Sequence, residues 1–273
     1  MKIRSGPAGS PAFNRGEIAP AYQGLVFQPS ILDPARLMSD PACRIIHSGR
    51  NRVGIAALTS AEGRGEEVVI KEFRPRGFKR LRTLVVASPA LKSWRGSLAM
   101  TAAGVATPAP VAYFEKRRGP WLEKCFFITA YAGGMREIRG LYEPLPEERR
   151  RRLVSDLAGF LAAGHRGGIL HRDLSDGNVL VAESGGGYRF QLVDTNRVRV
   201  KRRIGPLRGV RNLIRLGVPP GLRLFFLRRY LGVEAVPRRY LWWYRLFKGG
   251  YGAFLRLKRR LRLRRLAEWL KIQ

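Results

Sequence analysis

The stretch His171-Arg172-Asp173-Leu174-Ser175-Asp176-Gly177-Asn178 constrains this chain more tightly than any other. Asp173 and Asn178 are separated by four residues, and the apolar run Val179-Leu180-Val181 follows at once. Such a loop can turn one carboxylate and one amide oxygen toward a shared point at the head of a strand. Any hairpin could use a turn rich in Asp, Gly and Asn. A generic turn does not need the whole eight-residue spacing. Leu192-Val193-Asp194-Thr195-Asn196 begins shortly afterwards, with Asp194 16 residues past Asn178, and an apolar strand there delivers Asp194 to its C-terminal end.

The rest of the pattern places this loop between a helix and a sheet. From Glu147 to Gly164 apolar residues recur at three- and four-residue steps (Leu153, Leu157, Phe160, Leu161), which predicts a helix. Tyr188 to Val193 predicts the strand that carries Asp194. Upstream, Cys43–His47, Val53–Leu58 and Val68–Phe73 are β-branched, apolar runs separated by Gly-rich turns, and they predict three strands. A helix is expected over 88–103, stopped by Gly104 and by Thr107-Pro108-Ala109-Pro110, with strands at Val111–Phe114 and Cys125–Tyr131. Residues 1–40 are rich in Gly, Pro and Ala and read as an irregular extension with one short helix.

Lys71 lies at the end of an apolar strand, where an ammonium can reach nucleotide phosphates. Alone, a strand lysine is more often a solvated edge residue. Lys71, then the Asp173–Asn178 loop, then Asp194 is the order that phosphoryl transfer requires, because Mg²⁺ favours a carboxylate beside an amide oxygen and phosphate oxygens.

Charge narrows the class of partner. Lys and Arg total 52 against 20 acids, a formal net charge of +32 in 273 residues. Such a field favours a polyanion: nucleic acid, an anionic membrane or a phosphorylated glycolipid. The length suits one large domain or two lobes at about 150 residues per domain. Cys43 and Cys125 have no metal-ligand spacing and read as packing residues of a reducing cytosol. No secretory leader and no run of about 18 apolar residues is visible, so any membrane contact is expected to be peripheral.

These segments resemble the bacterial lipopolysaccharide kinase family, the InaA-like heptose and Kdo kinases of the protein-kinase-like superfamily. The resemblance is carried by Val69-Ile70-Lys71-Glu72-Phe73, Gly104 to Val111, the His171–Asn178 loop, Val193-Asp194-Thr195-Asn196-Arg197 and Arg211 to Leu216, and it covers roughly residues 43–218. It implies an α+β, two-lobe kinase-like fold, with residues 1–42 as an extension, 43–131 as a small sheet-rich N-lobe and 132–273 as a mainly helical C-lobe. It implies ATP and Mg²⁺ as cofactors, and phosphorylation of a heptose or Kdo hydroxyl on the lipid A–core at the cytoplasmic membrane face. By position, Asp173 is then the base or substrate-orienting residue, Asn178 and Asp194 hold the metal, and Lys71 binds phosphate. Gly49 lies in the loop that covers the nucleotide, and Thr129-Ala130-Tyr131 forms the hinge for adenine.

Two departures stand out. Ser48-Gly49-Arg50-Asn51-Arg52-Val53-Gly54 has two glycines but not Gly-x-Gly-x-x-Gly, although other backbone amides can cradle phosphate. No Asp or Glu occurs between Phe73 and Phe114, and Ser93 stands where a helix carboxylate would pair with Lys71. The alternatives are a kinase for another small-molecule or protein acceptor, and a non-catalytic, pseudokinase-type module that binds membrane or nucleic acid.

From Arg197 onward there are 23 Lys or Arg and only Glu234 and Glu268 as acids, with aromatics interleaved. Phe254 to Leu270 reads as an amphipathic helix with a cationic face. An anionic membrane surface is the favoured partner for it, ahead of plain packing of the lower lobe, with nucleic acid the least favoured.

Overall fold

A computed structural model describes residues 2–4, 13–23, 29–49, 51–59, 65–75, 77 and 81–261. The chain divides into two compact units, residues 1–98 with 108–133, and residues 99–107 with 134–273.

The first unit is built on an antiparallel seven-stranded sheet. In chain order its strands are β1 (Lys2–Arg4), β2 (Arg15–Ile18), β3 (Arg44–Ser48), β4 (Asn51–Thr59), β5 (Gly65–Phe73), β6 (Pro110–Arg118) and β7 (Trp121–Ala130). They lie side by side as β1-β2-β6-β7-β5-β4-β3. β7 is central, and Cys125, Phe126, Phe127 and Ile128 are all buried there. Both of its faces are covered, so its sequence is a continuous apolar run rather than an alternation. One face packs Ile70, Phe114, Phe126 and Ile128 with Phe13 and Met38. The other packs Phe73, Cys125 and Phe127 against Ala90 and Trp94 of helix α2 (Pro89–Ala102). Burying side chains of this size stabilises the fold by roughly 1.5–3 kcal/mol each. Helix α2 opens where Ser88 accepts a hydrogen bond from the Leu91 amide, and it ends at Gly104, whose φ of +69° suits a residue without Cβ.

The first 40 residues are not the irregular extension that composition suggested. β1 and β2 join the sheet through β6, and a short helical turn, α1 (Pro34–Leu37), buries Leu37 beside Met38. The Gly and Pro content masks this, because short edge strands borrow their stability from the partner strand. The unit boundary falls at Gly133-Gly134, where the expected lobe boundary was residue 131, and residues 99–107 are counted with the second unit.

The second unit is organised by α3 (Glu147–Arg166), which buries Leu153, Leu157 and Leu161 as its period requires. A small sheet lies on it: β8 (Arg136–Glu137), β10 (Val179–Ser184) and β11 (Gly187–Leu192). β9 (Ile169–His171) pairs with β12 (Val198–Val200). Gly168 makes that pairing possible. Its φ is +78°, and a Cβ there would meet the Lys201 carbonyl oxygen at 2.1 Å, so only glycine fits. Helices α4 (Pro206–Asn212), α5 (Arg223–Leu231) and α6 (Arg238–Arg260) complete the unit. Of the helix expected over 254–270, residues 254–260 are the tail of the longer α6, which begins at Arg238, and residues 262–273 lie outside the described residues. Among the described residues no helix is long and apolar enough to cross a membrane.

Candidate active site

The loop between β9 and β10 is held from both ends. His171 is buried, and its Nε2–H donates to the Val193 carbonyl at 3.0 Å. The Val193 amide in turn donates to the Asn178 carbonyl at 3.0 Å, continuing the β10–β11 ladder in which Val179 faces Leu192. The Asn178 side-chain NH₂ donates to the Asp173 carbonyl at 2.7 Å. That bond uses the Asn178 nitrogen, and the side-chain oxygen is its acceptor atom. Residues 173, 178 and 193 are thus chained together by short hydrogen bonds, and Asp194 is the next residue along.

Asp194 is unusual in its backbone. It is the one non-glycine residue with positive φ among those described, at φ 59° and ψ 53°. The left-handed region costs an ordinary residue about 1–2 kcal/mol and is tolerated best by Asn and Asp. It ends β11 abruptly and starts the turn Thr195–Arg197, with Thr195 buried. Asn178 and Asp194 therefore supply two hard oxygen donors at one loop–strand junction. That donor set suits Mg²⁺, which takes one or two carboxylates and leaves its other positions to water and phosphate. Among the described residues no three His, Cys, Asp or Glu side chains group as a metal site.

The Asp173 carboxylate is gripped by two cations that spacing did not reveal. Arg215 donates to one oxygen, and Arg197 lies 3.3 Å from the other. Burial pushes the Asp173 carboxyl up, but the hydrogen bond and charge of Arg215, with Arg197, outweigh it and hold the pKa below the usual value. Arg215 is itself backed by Tyr251 of α6, whose ring centroid is 5.9 Å from its guanidinium carbon. The Arg211–Leu216 segment stood out only as a resemblance. Nothing in the spacing pairs residue 215 with residue 173, because the contact spans 42 positions of chain.

Asn212 ties the loop to the helical core. Its NH₂ donates to the His171 carbonyl at 3.0 Å, and its oxygen accepts from His165 Nε2 at 3.0 Å. His165 Nδ1 is then the acceptor for the Tyr230 hydroxyl at 2.6 Å. Burial lowers the pKa of His165, and it lowers that of His171 despite the Val193 hydrogen bond and the charges of Asp194 and Asp173. Burial thus favours the neutral rings in the fold, while in the unfolded chain they titrate near 6.5. A depressed native pKa means that the unfolded state binds more protons, so stability is present above about pH 6.5 and is lost as pH falls. The expected slope approaches about 1.4 kcal/mol per pH unit for each histidine. Denaturant melts at pH 7, 6 and 5 test this, and the slope should become shallower in His165→Asn. An unchanged slope would mean that His165 is already charged in the fold.

The first unit supplies the remaining candidates. Lys71 sits in β5 between Val53 and Phe127, on the sheet face that packs α2, with its Nζ 5.2 Å from the Phe73 ring centroid. Glu72 points to the opposite face, where it is buried and bonded to Arg74 at 2.7 Å. Ser93 on α2 is buried, and its hydroxyl donates to the Pro89 carbonyl at 3.0 Å. Gly49 forms the turn between β3 and β4, its amide donating to the Asn51 carbonyl at 3.2 Å, and Arg50 lies outside the described residues. Gly54 serves packing, since a Cβ there would meet Cys43 Sγ at 2.7 Å. In the expected hinge, Thr129 faces Val69, the Ala130 amide donates to Ala109 and the Tyr131 amide to Glu67, both at 2.9 Å. Those two donors are committed within the sheet. Both cysteines are free and buried, and burial pushes the Cys125 thiol up to about 12, so it is an inert packing group.

Residues 87–218 match the family described as "Lipopolysaccharide kinase (Kdo/WaaP) family". Among curated proteins, "Putative cyclin-dependent kinase F-2" of Oryza sativa subsp. japonica is 28% identical over 158 residues, covering 54% of this chain and 42% of that protein. The chain thus spans less than half the length of that relative. Among solved structures, "WaaP in complex with acyl carrier protein" superposes with a TM-score of 0.57 at 20% identity, covering 89% of this chain and 97% of that one. At that identity the likeness is one of fold, and the fold is protein-kinase-like.

Proposed function

From the premise that residues 87–218 carry the lipopolysaccharide kinase family signature on a protein-kinase-like fold, we propose that this chain is an ATP-dependent phosphotransferase whose acceptor is a heptose or Kdo hydroxyl of the lipopolysaccharide inner core. The observation that carries the proposal is the junction of β10 and β11. There consecutive hydrogen bonds join Asp173, Asn178 and Val193, buried His171 stiffens the chain of contacts, and Asp194 is the residue that follows Val193.

In this role Asp173 meets the acceptor hydroxyl. Held low by Arg215 and Arg197, it is a weak base and acts chiefly by orienting the hydroxyl and accepting its proton late. Asn178 and Asp194 hold Mg²⁺, which when bound neutralises charge on the phosphates. Lys71 reaches the nucleotide phosphates, and the Gly49 turn covers them. With the Ala130 and Tyr131 amides engaged, purine recognition at 129–131 falls to their carbonyls and to the next amides along. The exposed Trp242, Leu246, Phe254 and Leu257 of α6 alternate with Arg245, Arg256, Lys258 and Arg259, which suits the cytoplasmic face of an anionic membrane.

Transfer of labelled γ-phosphate to purified lipopolysaccharide cores truncated at successive sugars tests the proposal. Label is expected on cores that retain the target heptose or Kdo, and it should vanish on the first core that lacks it. Label on another acceptor, with none on any core, would replace the glycolipid assignment with a different kinase substrate.

A further inference from the structure

Helices α5 and α6 flank a solvent-open groove of about 560 Å³, lined by Arg223, Arg245, Lys248 and Arg256 over Leu224 and Leu227. Among the described residues four cations and no acid line it. Gly249 and Gly252 form part of its wall although they lie inside a helix, where each glycine costs roughly 0.5–1 kcal/mol relative to alanine. A Cβ at Gly249 would touch nothing within 4 Å, and one at Gly252 only the tip of Arg256 at 3.6 Å. Packing within the chain therefore does not demand glycine at either place. What the glycines preserve is room in the groove. Tyr244 also lines it, buried, and its hydroxyl has no hydrogen-bond partner among the described residues.

The groove is wired to the catalytic loop through three consecutive residues. Lys248 donates to the Leu216 carbonyl, the Gly217 amide donates to both Asp176 carboxylate oxygens at 2.9 and 3.0 Å, and Arg215 holds Asp173. Burial and the charge of Arg223 bring Lys248 down to about 8 despite the opposing pull of Asp176, which is the electrostatic condition of a site short of negative charge.

We infer that the α5–α6 groove is an anchoring subsite for a phosphate group that the glycolipid acceptor already carries, with Arg223, Arg245, Lys248 and Arg256 on the phosphate and Leu224 and Leu227 on the adjoining apolar part. This rests on the glycolipid reading above. A phosphate fixed in the groove pulls on Lys248, and the 215–217 segment carries that restraint to Asp173 and Asp176, so the acceptor is positioned from both ends. Generic membrane charge is a different source of anions, and it does not need a groove of this depth.

The test is binding of the full chain to phosphatidylcholine vesicles that contain bis-phosphorylated lipid A, its dephosphorylated form, or phosphatidylglycerol at matched surface charge. Binding is expected to be about ten-fold tighter to the phosphorylated glycolipid than to either of the other vesicles. Removing one charge-assisted contact, in Arg245→Gln or Lys248→Met, should weaken that binding about ten-fold. Gly249→Leu, which fills the groove and leaves every charge in place, should weaken it comparably with an unchanged melting temperature. Arg118→Gln, an exposed cation at the end of β6 and outside the groove, should stay within about two-fold. Equal binding to phosphatidylglycerol, an equal loss in Arg118→Gln, or retention of an acidic acyl carrier protein in place of the lipid would each overturn the subsite. If the wild type phosphorylates a lipopolysaccharide core while the groove variants bind lipid A normally, the subsite fails and the kinase assignment stands. If groove-dependent binding to phosphorylated lipid A is seen but no core accepts phosphate, the subsite stands and the acceptor assignment fails.

Discussion

Asp173→Asn is expected to lower kcat for phosphate transfer by about 10²- to 10⁴-fold, the range spanned by a positioned acid–base group. Asparagine is the informative replacement. Its oxygen still accepts from Arg215, so the half-buried guanidinium keeps a partner, and the Asp173 carbonyl still accepts from Asn178. Alanine would strand Arg215 and confound lost chemistry with lost structure. The expected pattern is a large fall in labelled γ-phosphate transfer, unchanged binding to lipid A vesicles, and a melting temperature close to wild type. Wild-type turnover in Asp173→Asn would remove the carboxylate from the reaction and assign the contact with the acceptor hydroxyl to another group. The low pKa of Asp173 adds a second expectation. The group remains ionised well below neutral pH, so any acid limb of kcat between pH 5 and 7 belongs to another group or to loss of the fold.

Asp194 should give the other large effect, and its backbone separates chemistry from stability. At φ 59° the position disfavours most side chains and tolerates Asn nearly as well as Asp. Asp194→Asn keeps the turn and removes the charge. Activity is expected to fall by about 10² or more, as when an electrostatic stabiliser of the phosphoryl group is removed, with little change in melting temperature. Asp194→Gly removes both the charge and the strain. It should be just as inactive and more stable by about 1 kcal/mol, less what is lost from the interactions of the carboxylate. A strained residue that can be made more comfortable only at the cost of function marks a site where geometry outweighs stability. If Asp194→Asn retained Mg²⁺-dependent transfer at the wild-type rate, metal binding would have to be assigned elsewhere. Measuring the Mg²⁺ dependence of nucleotide affinity in the same variant decides this independently of turnover.

Much of the centre was legible because its parts are local. The spacing within His171–Asn178, the helix before it and the apolar strand carrying Asp194 each depend on residues a few positions apart, and hydrophobic period and turn chemistry encode such relations directly. The strand at Lys71 and the absence of acid from the following helix were equally visible. The strands hidden in the first 40 residues were not, because β1 and β2 are short and belong to the sheet only through pairing with distant β6.

The sequence by itself determined an α+β chain, the loop that spaces Asp173 from Asn178 and a strand-borne aspartate, since those features are written in short-range pattern and residue type. Only the tertiary structure decided that Arg215 and Arg197 take up the Asp173 charge, that Asp194 sits in a left-handed turn, and that α5 and α6 leave a cationic groove joined to the loop through residues 215–217. Each of these depends on where the path of the chain brings residues tens of positions apart. Among 52 cations, composition has no means of choosing which two will meet one carboxylate.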